Sequence, residues 1–236
     1  MDVKWRKETL LRNLKNVQAR IAAAEHAAGR PAGSVRLVAV TKFRPVEDLQ
    51  ALVSLGIHDI GESRMQEALK KKEELSLCDI AWHFIGTLQR KKAAVAVRNF
   101  DLIHSVDSLA LAESLAKVSG EKPVSVLLQV NPLNEPTKHG VLLPEVELLL
   151  EKMSSFSTLR VCGLMAMAPV RGSLFPNDVE AAFSSMENIF QLMKGQFSSS
   201  LPYFAELSMG MSQDFEEAIH HGATLVRIGS LLFEDM

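Results

Sequence analysis

Lys42 directly follows Thr41 at the end of the apolar run Val35 to Val40. The β-branched residues of that run predict a strand, so the lysine stands where strand gives way to loop, at the mouth of a buried sheet. Burial and cationic neighbours shift an ammonium toward the free amine, and a free amine forms a Schiff base with an aldehyde. The plainer alternative is a solvated lysine that caps a strand. The far end of the chain bears on the choice. It carries two blocks, Glu206-Leu207-Ser208-Met209-Gly210-Met211-Ser212 and Val226-Arg227-Ile228-Gly229-Ser230, in which a short apolar run breaks into glycine and hydroxyl residues. Backbone N–H groups freed at Gly210 and Gly229, with the hydroxyls of Ser208, Ser212 and Ser230, are donors able to surround a phosphate, and Ser212 is placed to cap the following helix. Either block alone reads as an ordinary turn. Together, one after each of the last two predicted strands, they match the usual phosphate site of an α/β barrel.

The elements that must position these residues alternate. Leu10, Leu14, Val17, Ile21 and Ala24 lie on one helical face, which Gly29, Pro31 and Gly33 terminate. Predicted strands follow at 35–41, 57–61, 80–86, 102–106, 124–130, 160–165, 204–208 and 224–228, separated by predicted helices at 45–55, 64–75, 88–98, 108–118, 144–153, 178–193 and 214–221. Several strands are apolar at nearly every residue, as parallel strands covered on both faces are. A doubly wound open sheet gives the same local signals, but no glycine-rich dinucleotide fingerprint follows the first strand. The expected fold is therefore α/β, a single-domain (β/α)8 TIM barrel over residues 1–236 with an N-terminal helix. Its chemistry belongs at the C-terminal ends of the strands, where Lys42 after strand one neighbours the blocks after strands seven and eight.

Composition narrows the function classes. With 236 residues and 47% hydrophobic content the chain can bury a sizeable core. Its 26 basic and 28 acidic residues nearly balance, which leaves no electrostatic footprint for nucleic acid. The basic runs Lys70-Lys71-Lys72 and Arg90-Lys91-Lys92 fall on predicted helices, where solvated outer faces are expected. Cys78 and Cys162 lack metal-ligand spacing, so no metal site is expected. The N-terminus does not resemble a signal peptide and no stretch is long enough to span a bilayer. A cytoplasmic, monomeric protein is expected.

Ordered blocks from residue 35 onward resemble one family. They are Val40-Thr41-Lys42 with Pro45, Gly61-Glu62, Trp82-His83-Phe84-Ile85-Gly86 with Leu88-Gln89, Ile103-His104-Ser105-Val106-Asp107, Gln129-Val130-Asn131, Lys138 with Gly140, Gly163-Leu164-Met165, and the two terminal blocks. Their order and wording resemble the pyridoxal phosphate homeostasis protein family. The resemblance implies a barrel like the N-terminal domain of alanine racemase, binding pyridoxal 5′-phosphate as a Schiff base on Lys42. Ser208, Gly210, Ser212, Gly229 and Ser230 stand where that family's phosphate ligands are, and Arg227 where its arginine faces the pyridine nitrogen. A guanidinium keeps its protons and disfavours the pyridinium form, so the ring would be a weak electron sink. His83 is either a polar wall of the cofactor cavity or a hydrogen-bonded core histidine. Ser105 and Asn131 stand where they can reach the cofactor or merely begin turns, and Met165 and Met167 read as core or pocket lining. One departure is Ser63, where the family has asparagine. The implied role is a carrier or regulator in vitamin B6 homeostasis that serves pyridoxal-phosphate-dependent apoenzymes.

Two enzymatic alternatives remain open at this stage. A two-base racemase needs a tyrosine opposite the lysine, supplied by a second domain, and the single tyrosine, Tyr203, precedes strand seven of a chain that ends at Met236. A Schiff-base aldolase with Lys42 and a sugar phosphate would be colourless. No catalytic residue is therefore assigned.

Overall fold

The computed structural model describes residues 3–169 and 178–234. Eight parallel strands close in chain order: β1 (Arg36–Val40), β2 (Asp59–Glu62), β3 (Ala81–Phe84), β4 (Leu102–Val106), β5 (Val124–Val130), β6 (Leu159–Ala166), β7 (Glu206–Met211) and β8 (Leu225–Ile228). β1 seals the ring against β8, with Arg36 opposite Leu225 and Ala39 opposite Ile228. Around it lie α1 (Val3–Ala27), α2 (Val46–Ser54), α3 (Met65–Glu74), α4 (Ala93–Asn99), α5 (Leu109–Val118), α6 (Val146–Ser154), α7 (Asp178–Gln196), α8 (Phe215–His220) and α9 (Ser230–Phe233). The expected (β/α)8 barrel is the fold.

Strand side chains alternate between two apolar layers because successive Cβ atoms point to opposite faces. Ala39, Ile60, Trp82, Phe84, Leu128, Leu207 and Ile228 join the main core between sheet and helices. Val38, Leu102, Leu127, Met165 and Leu225 instead form a small separate cluster inside the barrel. The same period puts Asp59, His83, His104, Ser208 and Arg227 on the inward face. Polar groups thus share the barrel interior with a few apolar residues, and they need partners there.

α1 ties down the elements that carry the end of the chain. Arg20 grips Glu216 of α8 through two bonds of 2.6 and 2.8 Å. Asn13 Nδ2 donates to the carbonyls of Leu232 and Glu234 at 3.1 Å each, satisfying oxygens that the short α9 leaves unpaired. Glu25, buried in α1, accepts from the N–H groups of Gly33 (3.0 Å) and Val35 (2.8 Å) and so fixes the turn into β1.

Three expectations need correcting. Strand β7 does not end at Ser208 but runs to Met211, through a register irregularity between Ser208 and Met211 that a positive φ of 89° at Gly210 accommodates. The last block does not remain a turn after Gly229, because Ser230 begins the four-residue α9, which buries Leu232 and Phe233. Lys71, expected on a solvated helix face, is buried beneath the end of β1, where it meets a buried carboxylate.

Candidate functional site

Lys42 follows β1 by two residues, in the turn at the C-terminal mouth of the barrel. Lys42 is solvent-exposed there, not buried as a lysine at the mouth of a covered sheet was expected to be. Its backbone is held from beneath. Thr41 Oγ1 donates to Glu62 Oε1 at 2.7 Å, and the Lys71 ammonium donates to that same oxygen at 2.6 Å and to the Thr41 carbonyl at 2.7 Å. Immediately after Lys42 the chain turns, with Arg44 N–H donating to the Thr41 carbonyl at 3.0 Å and Phe43 at a positive φ of 63°. A non-glycine residue in that region stores strain, and it sits where the chain is clamped on both sides. The Arg64 guanidinium covers the Phe43 ring at 4.3 Å, and Arg44 covers Phe233 of α9 at 4.4 Å.

The ends of β7 and β8 meet this turn. Gly229 abuts Val40, the last residue of β1, so that a Cβ at position 229 would stand 3.4 Å from the Val40 Cβ. Its N–H donates to Ser212 Oγ at 3.3 Å. Ser212 was expected to cap α8. The N-cap is instead Asp214, whose Oδ1 accepts from Met211 N–H at 2.6 Å and draws the loop tight. Gly210 is obligatory, since a Cβ there would lie 2.6 Å from the Ala218 Cβ and 2.9 Å from the Phe215 Cα. Lys42, Gly210, Ser212, Gly229 and Ser230 are therefore grouped on one sector of the rim, where β7, β8 and β1 adjoin. Ser212 is half-buried and Ser230 exposed. On the same end a groove of about 700 Å³ runs between the loops after β2 and β3, lined by Ser63, Arg64, Gln66, Thr87, Gln89 and Lys91.

Ser208 is not part of that rim. It is fully buried, and its hydroxyl accepts from Arg227 Nη1 at 2.6 Å and lies 2.9 Å from His104 Nδ1. This corrects the expectation that its hydroxyl meets a phosphate: position 208 is an inward strand position, not a loop. His83 resolves in favour of the core alternative, 2% exposed and bonded through Nδ1 to His104 Nε2 (2.8 Å) and through Nε2 to Asp59 Oδ1 (2.9 Å). Met165 belongs to the interior apolar cluster. Asn131 is also structural, accepting from Glu135 N–H at 3.0 Å and donating to the Glu135 carbonyl at 2.9 Å.

Two further features of the interior are a buried cation and a buried serine hydroxyl. Arg227 is almost wholly buried, with Nη2 donating to the Ala166 carbonyl at 2.9 Å. Burial lowers its pKa to about 10 against the opposing pull of Asp214, so it stays cationic at neutral pH. Ser105 is 1% exposed, and its hydroxyl has no partner among the described residues. Strand β4 shifts register between Ile103 and Val106, which breaks the alternation at this serine. Sequence reasoning assigned no role to Asp59, His104 or Glu62 and read Lys71 as solvated. The available signal was a histidine at an inward position of an otherwise apolar strand, Leu102-Ile103-His104.

A closed parallel barrel with a lysine after its first strand and a hydroxyl and glycine rim after its last two is the architecture of one family. The family described as alanine racemase, N-terminal domain, matches residues 12–236. A curated pyridoxal phosphate homeostasis protein from Synechocystis sp. is 45% identical over 205 residues, 86% of this chain and 92% of that protein. PipY of Synechococcus elongatus, solved with PLP bound, is 36% identical with a TM-score of 0.78, covering 90% of this chain and 99% of that one. A crystal structure from Bifidobacterium adolescentis is 33% identical, with a TM-score of 0.91 over 99% of this chain and 97% of that one. The chain belongs to the alanine racemase N-terminal domain family and, within it, to the pyridoxal phosphate homeostasis proteins.

Proposed function

We propose that this protein, a single barrel domain in the cytoplasm, binds pyridoxal 5′-phosphate as a Schiff base on Lys42 and acts as a carrier or regulator in vitamin B6 homeostasis. The observation that carries this is the convergence of Lys42 with Gly210, Ser212, Gly229 and Ser230 on one sector of the C-terminal rim. An aldehyde and a phosphate on one small molecule match that pairing of an amine with the hydroxyls of Ser212 and Ser230. The interior fits the rest of the group. Ser105 offers a buried hydroxyl without a partner among the described residues, and Arg227 a buried cation beneath the mouth. The PLP held by PipY is consistent with the same ligand here.

When bound, the cofactor supplies an electrophilic carbonyl and a ring able to withdraw electrons. The chain's own residues temper both. Lys42 is exposed, so a competing amine would have access to it and a bound aldehyde could be handed on, for example to a pyridoxal-phosphate-dependent apoenzyme. Arg227 keeps its protons and would give a ring nitrogen facing it no full proton, which would weaken electron withdrawal. Among the described residues the phenol of Tyr203 stands apart from the rim, ahead of β7 and beneath the Arg160 guanidinium at 4.4 Å, so it is no second base. The test loads the protein with pyridoxal phosphate and incubates it with alanine in deuterated water. A visible absorption band without α-carbon exchange is expected. Exchange with inversion at rates on the order of the ~10 s⁻¹ enzyme median would establish a racemase instead.

A further inference from the structure

Inside the barrel, the contacts that fix Arg227 continue well beyond it. Ser208 Oγ receives the Arg227 Nη1 hydrogen at 2.6 Å and meets His104 Nδ1 at 2.9 Å. His104 Nε2 meets His83 Nδ1 at 2.8 Å, and His83 Nε2 meets Asp59 Oδ1 at 2.9 Å. Asp59 is the first residue of β2. Its Oδ1 also accepts from Arg36 at 3.3 Å, and Arg36 in turn binds Glu206 at 2.7 Å, at the N-terminal ends of β1 and β7. The series joins the guanidinium below the C-terminal mouth to a carboxylate at the opposite end of the barrel.

The chemistry of the donors fixes its direction. A guanidinium only donates, so Ser208 accepts from Arg227 and has one O–H left to give. The neighbouring acceptor is His104 Nδ1, so the His104 proton is on Nε2. That proton points at His83 Nδ1, which must then accept, and the His83 proton is on Nε2, aimed at the Asp59 carboxylate. The reverse arrangement would protonate His83 on both nitrogens and set two donors, Arg227 Nη1 and His104 Nδ1, on the Ser208 oxygen, leaving its O–H with no acceptor among the contacts of the described residues. Two shifts agree. Burial first, with the Arg227 and Arg36 cations nearby, pushes His104 well below the ordinary histidine value, so it is neutral. Burial raises the Asp59 pKa, but the hydrogen bond from His83, with the Arg36 charge, outweighs that and holds it below the usual carboxylate value.

We propose that Asp59, His83, His104 and Ser208 form a one-directional relay of hydrogen bonds that orients the Arg227 guanidinium and couples the field at the cofactor ring to a carboxylate at the opposite pole of the barrel. The relay residues are positioning residues, since they act through Arg227. Their link to the ring rests on the cofactor reading above. Neutral histidines alone would serve as filling, but the directed series commits three buried polar side chains and a part-exposed carboxylate to holding one charge. Each would otherwise need its own partner in an interior where an unpaired polar group is costly.

Two experiments decide it. In ligand-free protein labelled with nitrogen-15 at histidine, assigned with H83N and H104N, both rings should be neutral and protonated on Nε2 at neutral pH. An Nδ1-protonated or doubly protonated ring at either position overturns the relay. In protein loaded with pyridoxal phosphate, D59N keeps an acceptor for His83 but removes the charge. It should displace the visible band while leaving affinity within about threefold of wild type. S208A should displace it similarly, and S208T, which restores the hydroxyl, should return it. An unmoved band in folded D59N and S208A overturns the coupling to the ring. If wild-type protein shows no visible band at all, the cofactor reading fails and the coupling with it, and the histidine spectra still decide the relay on their own.

Discussion

Replacing Lys71 with methionine tests whether the buried cluster beneath Lys42 positions the turn. Methionine keeps most of the stem and removes the ammonium, which makes bonds of 2.6 and 2.7 Å to Glu62 and to the Thr41 carbonyl. The Glu62 side chain is fully buried and its second oxygen already lacks a partner among the described residues, so K71M leaves a buried carboxylate supported only by the Thr41 hydroxyl. Stranding one partner of a buried ion pair costs about 3–5 kcal/mol. For a chain of this size that lowers Tm by roughly 6–20 °C. The double variant E62Q/K71M removes the stranded charge and keeps an acceptor for Thr41, so it should recover more than half of the loss. Urea unfolding followed by circular dichroism measures all three proteins. K71M should also bind pyridoxal phosphate more weakly, because the Thr41 carbonyl that Lys71 anchors immediately precedes Lys42. A K71M protein within about 1 kcal/mol of wild type, the range of an exposed pair, or a double variant no more stable than K71M, would refute the reasoning.

Pyridoxal lacking its phosphate should bind at least tenfold more weakly than pyridoxal phosphate, since charge-assisted hydrogen bonds contribute about 1.5–3 kcal/mol each. Equal affinities in an absorbance titration would remove the rim donors from the site. A pH effect should arise at His221, whose ring nitrogens each lie 2.9 Å from Glu187 or Glu180. Burial lowers its pKa, but the hydrogen bonds to Glu187 and Glu180 outweigh this and raise it above 6.5. The stability it adds is therefore complete below the unfolded value and lost as pH rises through the folded one. H221N should cost up to about 1 kcal/mol on the acid side of that window and almost nothing on the alkaline side, and a cost independent of pH would contradict the pairing.

The sequence made the barrel legible because parallel strands covered on both faces leave short apolar runs, and each run was separated from the next by a helix-length stretch. Lys42 and the glycines at 210 and 229 were legible for the same reason, as interruptions at the ends of such runs. Ser208 was misplaced because a strand that continues through an irregularity at Gly210 has the composition of a loop. The roles of His104 and Asp59 were not legible at all. Their partners come from β2, β3, β4, β7 and β8, and only closure of the barrel brings those strands around one axis. Lys71 was read as solvated because its neighbours Lys70 and Lys72 share its type. Its burial depends on where α3 lies against the end of β1, which no local pattern encodes.

The central claim is a covalent bond between one lysine and the cofactor aldehyde. Reduction of the pyridoxal-phosphate-loaded protein with borohydride, followed by digestion and mass analysis, tests it directly. The account predicts a single labelled peptide with the adduct on Lys42. An adduct on another lysine, or complete failure to trap one in a protein that has demonstrably bound the cofactor, would contradict it.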